Sequence, residues 1–402
     1  MNMAEPSPVS IRGSNQSGMR AHNERLVLTL LRRHGPQPKA QIARMTGLSA
    51  QTVSVIMRAL EAEGFLVKGQ PQRGRVGQPS VPIGLAPGGA YFFGLKVGRR
   101  SLELVLTDFL GRVVDRRQAR HRYPTPDATL AFARHALAEI AAARPAVERA
   151  RISGLGIAIP FQLWDWADAI GAPRSDMDAW RHRDIRAELA VGLDTPVYLQ
   201  NDASAACGAE LVLGTAALPP NLLHIFVGYF IGGGVVLNGS LFTGPTGNAG
   251  AIGSLPVPGP DGKSRQLIEV ASLAVLERML GARGAAADCL WNRPIDWRID
   301  QEVLHAWLES AAGGLAHAVA ATCAVIDFEA VLIDGWLPPP IRARLVERTG
   351  VALAGLNTAG LILPRIEEGT IGPDARSLGA ACLALSKRFL VDQGVLTKAD
   401  QI

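Results

Sequence analysis

The sequence predicts a mixed α/β chain in two parts, an N-terminal winged helix-turn-helix followed by a duplicated, two-lobed α/β body. Three observations lead there. Within residues 22–87, three short amphipathic segments run into two strand-like stretches around a basic loop. Beyond residue 88, apolar strands alternate with helical segments, and a glycine-bearing hairpin followed by strand and helix occurs twice. Charge divides near the same place: residues 1–100 hold 14 Lys/Arg against four Glu, a net +10, and the remainder carries −5. A basic front on a mildly acidic body fits a polyanion-binding module joined to a carrier of different purpose.

The 402 residues are 48% hydrophobic and 19% charged, enough to bury cores in two or three domains. Residues 1–21 are polar and are expected to form a disordered tail. They lack the apolar core of an export signal, and no later apolar run is long enough to span a bilayer, so a cytoplasmic protein without membrane association is expected. Cys207, Cys289, Cys323 and Cys382 lie far apart and read as buried thiols. No Cys/His cluster has metal-ligand spacing, so neither a metal nor a cofactor is expected.

NERLVLTLLRRHG predicts a first helix capped by Asn23, burying Val27, Leu30 and Leu31, and stopped at Gly35. PKAQIARMTG predicts a second that opens at Pro38 and buries Ile42 and Met45 before the turn at Gly47. Ser49 then caps a third, whose stripe of Val53, Ile56 and Leu60 ends at Gly64. In a helix-turn-helix this last helix enters the major groove of a double-stranded DNA operator. The candidate contacts are Lys39, Ser49, Gln51, Thr52, Ser54, Val55 and Arg58, mostly short groups able to touch base edges, with Arg58 for a phosphate or guanine. FLVK and SVPIGL read as the wing strands, with Arg73 and Arg75 at the tip of the loop between them, where a phosphate or a narrow groove can receive them. A plain helical bundle with a basic, solvated face is the alternative.

In the body, YFFGLKVG and LELVLTD read as paired strands, residues 128–148 as a helix and ISGLGIAIP as a buried strand. A helix near 181–191 and the strand VYLQND follow, and LLHIFVGYFIGGGVVLNGSLF opens the second series, which continues with helix, AVLIDG strand and helix. The amphipathic segment 377–390 is expected to return to the first lobe. Asn201-Asp202, at a strand-to-helix junction, raises the question of whether Asp202 is a catalytic base or a ligand clamp. Asn201 capping the following helix is the purely structural alternative. Trp164, Trp166 and Trp180 lie in the loop-rich stretch after IAIP that would border a cleft between the two lobes; an aromatic wall for a ligand is one reading and ordinary packing the other.

The winged helix together with IAIP, QNDASAACGAE, GGGVVLNGSLFTG and GNAGAIGS resembles the ROK family of sugar-responsive repressors and sugar kinases. The resemblance runs from about residue 22 onward. It implies an actin-like (ribonuclease H-like, duplicated) fold, with lobe 1 over 88–205 completed by a C-terminal helix within 374–402, lobe 2 over 206–373, and a homodimer or homotetramer. Family kinases carry Asp-x-Gly-Gly-Thr in the first phosphate hairpin; here the stretch is Lys96-Val97-Gly98-Arg99-Arg100, and the second hairpin has Gly228-Tyr229-Phe230 in place of a Gly-Thr-Gly pattern. A cation replaces a metal-binding carboxylate and two long arginines fill a turn that needs close backbone approach to phosphate. The resemblance therefore implies a regulator with no catalytic residues, in which Asn201, Asp202, Asn248, Gly250, Ser254 and Glu269 hold a sugar-like effector. Ala251 and Ser254 stand where the family has Glu and His, and the family's zinc cysteines are absent. Glu269 reads equally as a helix first-turn acid. An ATP-dependent sugar kinase with an appended DNA module, and a DNA-binding protein without an effector, are the competing readings.

Overall fold

The computed structural model describes residues 16–71, 81–259, 261–291 and 297–391. Two units divide the chain: residues up to Gly89 together with Phe389–Val391, and Ala90–Arg388.

The first unit runs α1 (Gln16–His34), α2 (Lys39–Thr46), α3 (Ala50–Ala62), β1 (Leu66–Lys68) and β2 (Ile83–Leu85). Val27, Leu31, Ile42, Val53, Met57 and Leu60 form its core. The antiparallel pair β1–β2 sets Leu66 opposite Leu85, which is the wing base. Two local expectations differ from the structure. Asn23 lies inside α1, which begins at Gln16 rather than after a tail ending at 21; the Arg20–Glu24 pair at 2.8 Å stands one turn apart on this earlier stretch. Met45 is 38% exposed, because the eight-residue α2 turns only Ile42 inward.

The second unit opens with β3 (Tyr91–Val97), β4 (Ser101–Thr107) and β5 (Val113–Arg120), then α4 (Pro126–Ala142), α5 (Ala146–Arg149) and β6 (Ile152–Ile159). Pro145 splits the single helix expected over 128–148 into α4 and α5. The short helices α6 (Ala167–Ile170), α7 (Arg174–Asp178) and α8 (Ile185–Ala190) lead to β7 (Val197–Asn201) and α9 (Asp202–Leu213). Next come β8 (Leu222–Val227), β9 (Ile231–Leu237), β10 (Ser240–Phe242), β11 (Pro256–Pro258) and β12 (Ser264–Gln266). Helices α10 (Ile268–Ala271), α11 (Leu273–Ala282) and α12 (Gln301–Cys323), strand β13 (Ala330–Gly335), helix α13 (Pro339–Ala354), strand β14 (Arg365–Glu368) and helix α14 (Ala375–Phe389) complete it.

The duplication is explicit in the sheets, ordered β5-β4-β3-β6-β7 and β10-β9-β8-β13-β14. In each, three antiparallel strands are extended by two parallel ones. Strand β5 was not expected from sequence: VVDRRQAR has no apolar alternation, since it is a partly exposed edge whose arginines engage carboxylates. The glycine run Gly232-Gly233-Gly234 sits within β9 and not in the hairpin turn. A Cβ at Gly234 would come 2.4 Å from Cys207 Cβ, so the missing side chain lets α9 lie on the sheet. Helix α14 lies on β3 and β6 in the same way: a Cβ on Gly156 would stand 1.8 Å from Ala380 O, and one on Gly94 2.3 Å from Ser377 O. The 205/206 lobe boundary read from sequence falls inside α9. Cys207, Cys323 and Cys382 are buried and outside any disulfide, whereas Cys289 is partly exposed.

Candidate functional site

In the first unit, Ser49 has extended backbone and its Oγ accepts from Thr52 N at 3.1 Å, which starts α3 cleanly after the left-handed turn at Gly47. Gln51, Val55 and Arg58 are exposed on one side of α3, with Thr52 and Ser54 partly exposed. Val53, Ile56 and Leu60 face the core. Arg58 Nε donates to Ser54 O at 3.2 Å, and partly exposed Lys39 begins α2. Arg44, exposed on α2 and bonded to Gln41, is a further cation that the sequence reading did not single out. Arg73 and Arg75 lie outside the described residues.

In the second unit, β7 delivers Asn201 and α9 starts at Asp202. Asn201 Oδ1 accepts from Ala203 N at 3.0 Å and Ser204 N at 3.3 Å, so this amide oxygen is engaged in capping α9. Asp202 Oδ2 accepts from Arg376 Nη1 of α14 at 3.2 Å, with the two side chains only 15% and 12% exposed. The Arg376 guanidinium also lies 5.0 Å from the centre of the Phe226 ring. Asp202 is thus a carboxylate already matched to a cation, able to accept hydrogen bonds with its remaining lone pairs. Arg376 carried no signal in the sequence, because the contact spans 174 positions.

A cavity of about 500 Å³ opens nearby, lined on one side by Phe161, Gln162, Trp164, Trp180 and Asp184, and on the other by Thr246 and Asn248. Of the six candidate effector residues, Asn248 alone is among its lining residues. Gly250 has φ +90°, and a Cβ there would meet Gly233 O at 2.6 Å, so glycine is required for the chain to turn against β9. Ser254 and Glu269 are exposed, and Glu269 Oε2 accepts from Gln266 N at 3.0 Å at the head of α10. Trp164 and Trp180 line the cavity, whereas Trp166 packs on Phe230 with ring centres 4.8 Å apart. Gln162, which sequence reasoning missed, has φ +57°, a left-handed conformation uncommon for a residue with a side chain.

The two hairpins corresponding to the family's phosphate loops meet each other. Arg99 and Arg100 follow β3, and their guanidinium carbons lie 4.9 and 5.5 Å from the ring centre of Tyr229, which follows β8. Arg100 also pairs with Glu277 of α11 and sits 5.0 Å from the Trp291 ring centre. Arg99 donates to Arg122 O and Ile170 O. Lys96 turns inward: it is 3% exposed, its Nζ is 3.4 Å from Glu103 Oε2, and burial pushes its ammonium down to about 8.

Fold and site define a two-lobed, actin-like α/β protein that carries a winged helix-turn-helix DNA-binding unit. The ROK family profile matches residues 92–383, and a winged helix-turn-helix DNA-binding profile matches residues 20–67. The chain belongs to the ROK family. It is 23% identical over 371 residues to the uncharacterized protein y4fQ of Sinorhizobium fredii, covering 91% of each chain. It is 24% identical over 244 residues to the xylose repressor of Bacillus subtilis, covering 61% of this chain and 62% of that one. Among solved structures, a ROK family transcriptional regulator homologous to the E. coli MLC protein superposes with TM-score 0.65 at 19% identity, covering 94% of this chain and 98% of that one. The ROK hexokinase of Thermus thermophilus gives 0.53 at 24% identity over 74% and 98%. At these identities the structural likenesses establish the fold. Among the described residues no helix is long and apolar enough to cross a membrane.

Proposed function

We propose that this protein is a cytoplasmic, non-catalytic transcriptional repressor of carbohydrate-related genes, whose hold on operator DNA is set by a small sugar-like effector in the cavity between the lobes. The observation that carries the reading is the closed pair of hairpins. Phosphoryl transfer needs a γ-phosphate positioned by backbone amides and a metal, and here the facing turns are filled by Arg99, Arg100 and Tyr229. The cavity suits a sugar: Phe161, Trp164 and Trp180 offer apolar faces for its C–H surface, while Gln162, Asp184, Thr246 and Asn248 supply a few polar groups to fix its hydroxyls. In this reading Asn201 and Asp202 order the floor of the site from α9. A homodimer or homotetramer would present two recognition helices to a palindromic operator.

The test combines DNA and sugar. Full-length protein is titrated onto labelled fragments upstream of its own gene, with and without pentoses and hexoses, beginning with xylose because a similar protein is named a xylose repressor. Salt-dependent binding to one fragment, changed at least tenfold by one sugar, is expected, together with no sugar phosphate from ATP and magnesium. Formation of a sugar phosphate with turnover would overturn the non-catalytic reading. Unchanged affinity after Arg73→Ala with Arg75→Ala would remove the wing from the interface.

A further inference from the structure

Three buried polar side chains of the second lobe take no part in the cleft. Glu210 on α9, His224 on β8 and Asp334 on β13 are 2%, 0% and 0% exposed, and one donor atom from each lies within 4.8 Å of the other two. The carboxylates are well anchored. Glu210 accepts from Thr370 N at 2.9 Å, Thr370 Oγ1 at 2.6 Å and Ile371 N at 3.3 Å. Asp334 accepts from Arg342 Nη1 at 3.0 Å and Gly372 N at 2.8 Å. His224 differs: among the described residues neither Nδ1 nor Nε2 has a hydrogen-bond partner. A buried donor left unmatched is costly, and this one faces two carboxylates without bonding to either. All three donor atoms fall within 4.8 Å of one another, close enough to share an ion.

We propose that Glu210, His224 and Asp334 bind one first-row divalent transition ion of the zinc class. An imidazole with two carboxylates is a borderline N/O donor set, which favours such ions over calcium or magnesium with their all-oxygen shells. Metal–ligand lengths of about 2.0–2.2 Å place tetrahedral donor atoms about 3.4 Å apart, within the 4.8 Å bound that holds these three donors. The Thr370, Ile371, Gly372 and Arg342 donors become the outer contacts that orient the ligating carboxylates. The ligands come from residues 14 and 110 positions apart along the chain, which is why no short motif announces them. With all three ligands buried, the ion is structural: it ties α9, β8 and β13 to the 370–372 segment that leads into α14 and hence to Arg376, the partner of Asp202.

The experiment uses tag-free, full-length protein stripped with chelator, loaded with zinc chloride and gel-filtered. Elemental analysis is expected to give about one zinc per chain, and zinc is expected to raise the body's Tm by about 4 °C or more. Cobalt(II) in its place is expected to give a visible d–d absorption. His224→Leu is expected to abolish all three while circular dichroism and elution volume stay unchanged. A stripped protein that takes up no zinc and shows no Tm shift would overturn the site. Full occupancy retained in His224→Leu would equally overturn it, marking the metal as adventitious. Should His224→Leu fail to fold, Glu210→Gln and the wild-type cobalt spectrum decide in the same way: zinc content unchanged in the variant, or no cobalt band, refutes the proposal.

Discussion

Replacing Arg376 by Met keeps the aliphatic stem over Phe226 and removes the charge that answers Asp202. At 3.2 Å and an effective dielectric near 20, the gross attraction is about 5 kcal/mol. Much of it offsets the desolvation of two side chains that are only 12% and 15% exposed. Removing one partner of a fully buried pair costs about 3–5 kcal/mol; the residual water access of Asp202 lowers the expectation here to about 2 kcal/mol. Arg376→Met combined with Asp202→Asn leaves no orphan charge and should recover about 1 kcal/mol or more of that loss, a coupling typical of contacting groups. The assay is denaturant unfolding followed by tryptophan fluorescence. All seven tryptophans, from Trp164 to Trp336, lie in the second unit, so the signal reports the lobes and not the winged helix. Two independent, additive effects within about 0.4 kcal/mol would refute the pairing.

Three further outcomes follow from the same geometry. Gly156→Ala places a Cβ 1.8 Å from the Ala380 carbonyl and should cost more than about 3 kcal/mol in the same unfolding assay, whereas Gly350→Ala, in α13 with nothing described within 4 Å, should stabilise by about 0.5–1 kcal/mol. Lys96, held at about 8 by burial, makes the folded state bind fewer protons than the unfolded chain between that value and the ordinary lysine range. Stability should therefore rise with pH through this window by up to about 1.4 kcal/mol per pH unit, the cost being fully present below it, and Lys96→Met should flatten the slope, as read from unfolding midpoints at pH 7 to 10. Lys39→Ala with Arg58→Ala should lower the slope of log K against log salt by about 0.9 for each lost phosphate contact, measured by fluorescence anisotropy on operator DNA. An unchanged slope would mean that neither side chain touches the backbone.

Local periodicity carried most of the fold. Both hairpins, the buried strands β6 and β13 and the three N-terminal helices follow from apolar spacing, and the repeated sheet order gives physical form to the duplication suggested by two glycine-bearing hairpins. The break at Pro145 was written locally, but several other misses depend on partners remote in sequence. Strand β5 is polar because it is an edge whose Arg116 meets Glu103 and Asp374. The Gly232–Gly234 run was expected in the turn between two strands, but it lies within β9, where it admits α9. At the cleft, Asn201 and Asp202 were legible as a strand-to-helix junction, yet Arg376, Gln162 and Phe161 were not, since nothing local marks them. Glu269 was ambiguous between ligand and helix acid, and its bond to Gln266 N is that of a helix-start residue.

The arginines of the first hairpin show why charge alone does not define a phosphate site. A phosphate loop works by presenting backbone N–H groups at close range, which requires short side chains and an unoccupied turn. Arg99 and Arg100 instead spend their donors on Arg122 O, Ile170 O and Glu277 and their planar faces on Tyr229 and Trp291. Arg100 thereby links a turn of one lobe to α11 of the other. For a kinase, which must open to exchange nucleotide, such a link opposes turnover; for the sensor proposed above, it supplies a contact that can differ between open and closed lobes, which is what an effector needs in order to shift a population. Glu277→Gln removes the charge from this link without adding volume. If the link opposes opening, the variant should change the apparent affinity for effector while leaving the sugar-free unfolding midpoint nearly unaltered; equal affinities in the two proteins would show that the hairpins meet without biasing the lobes.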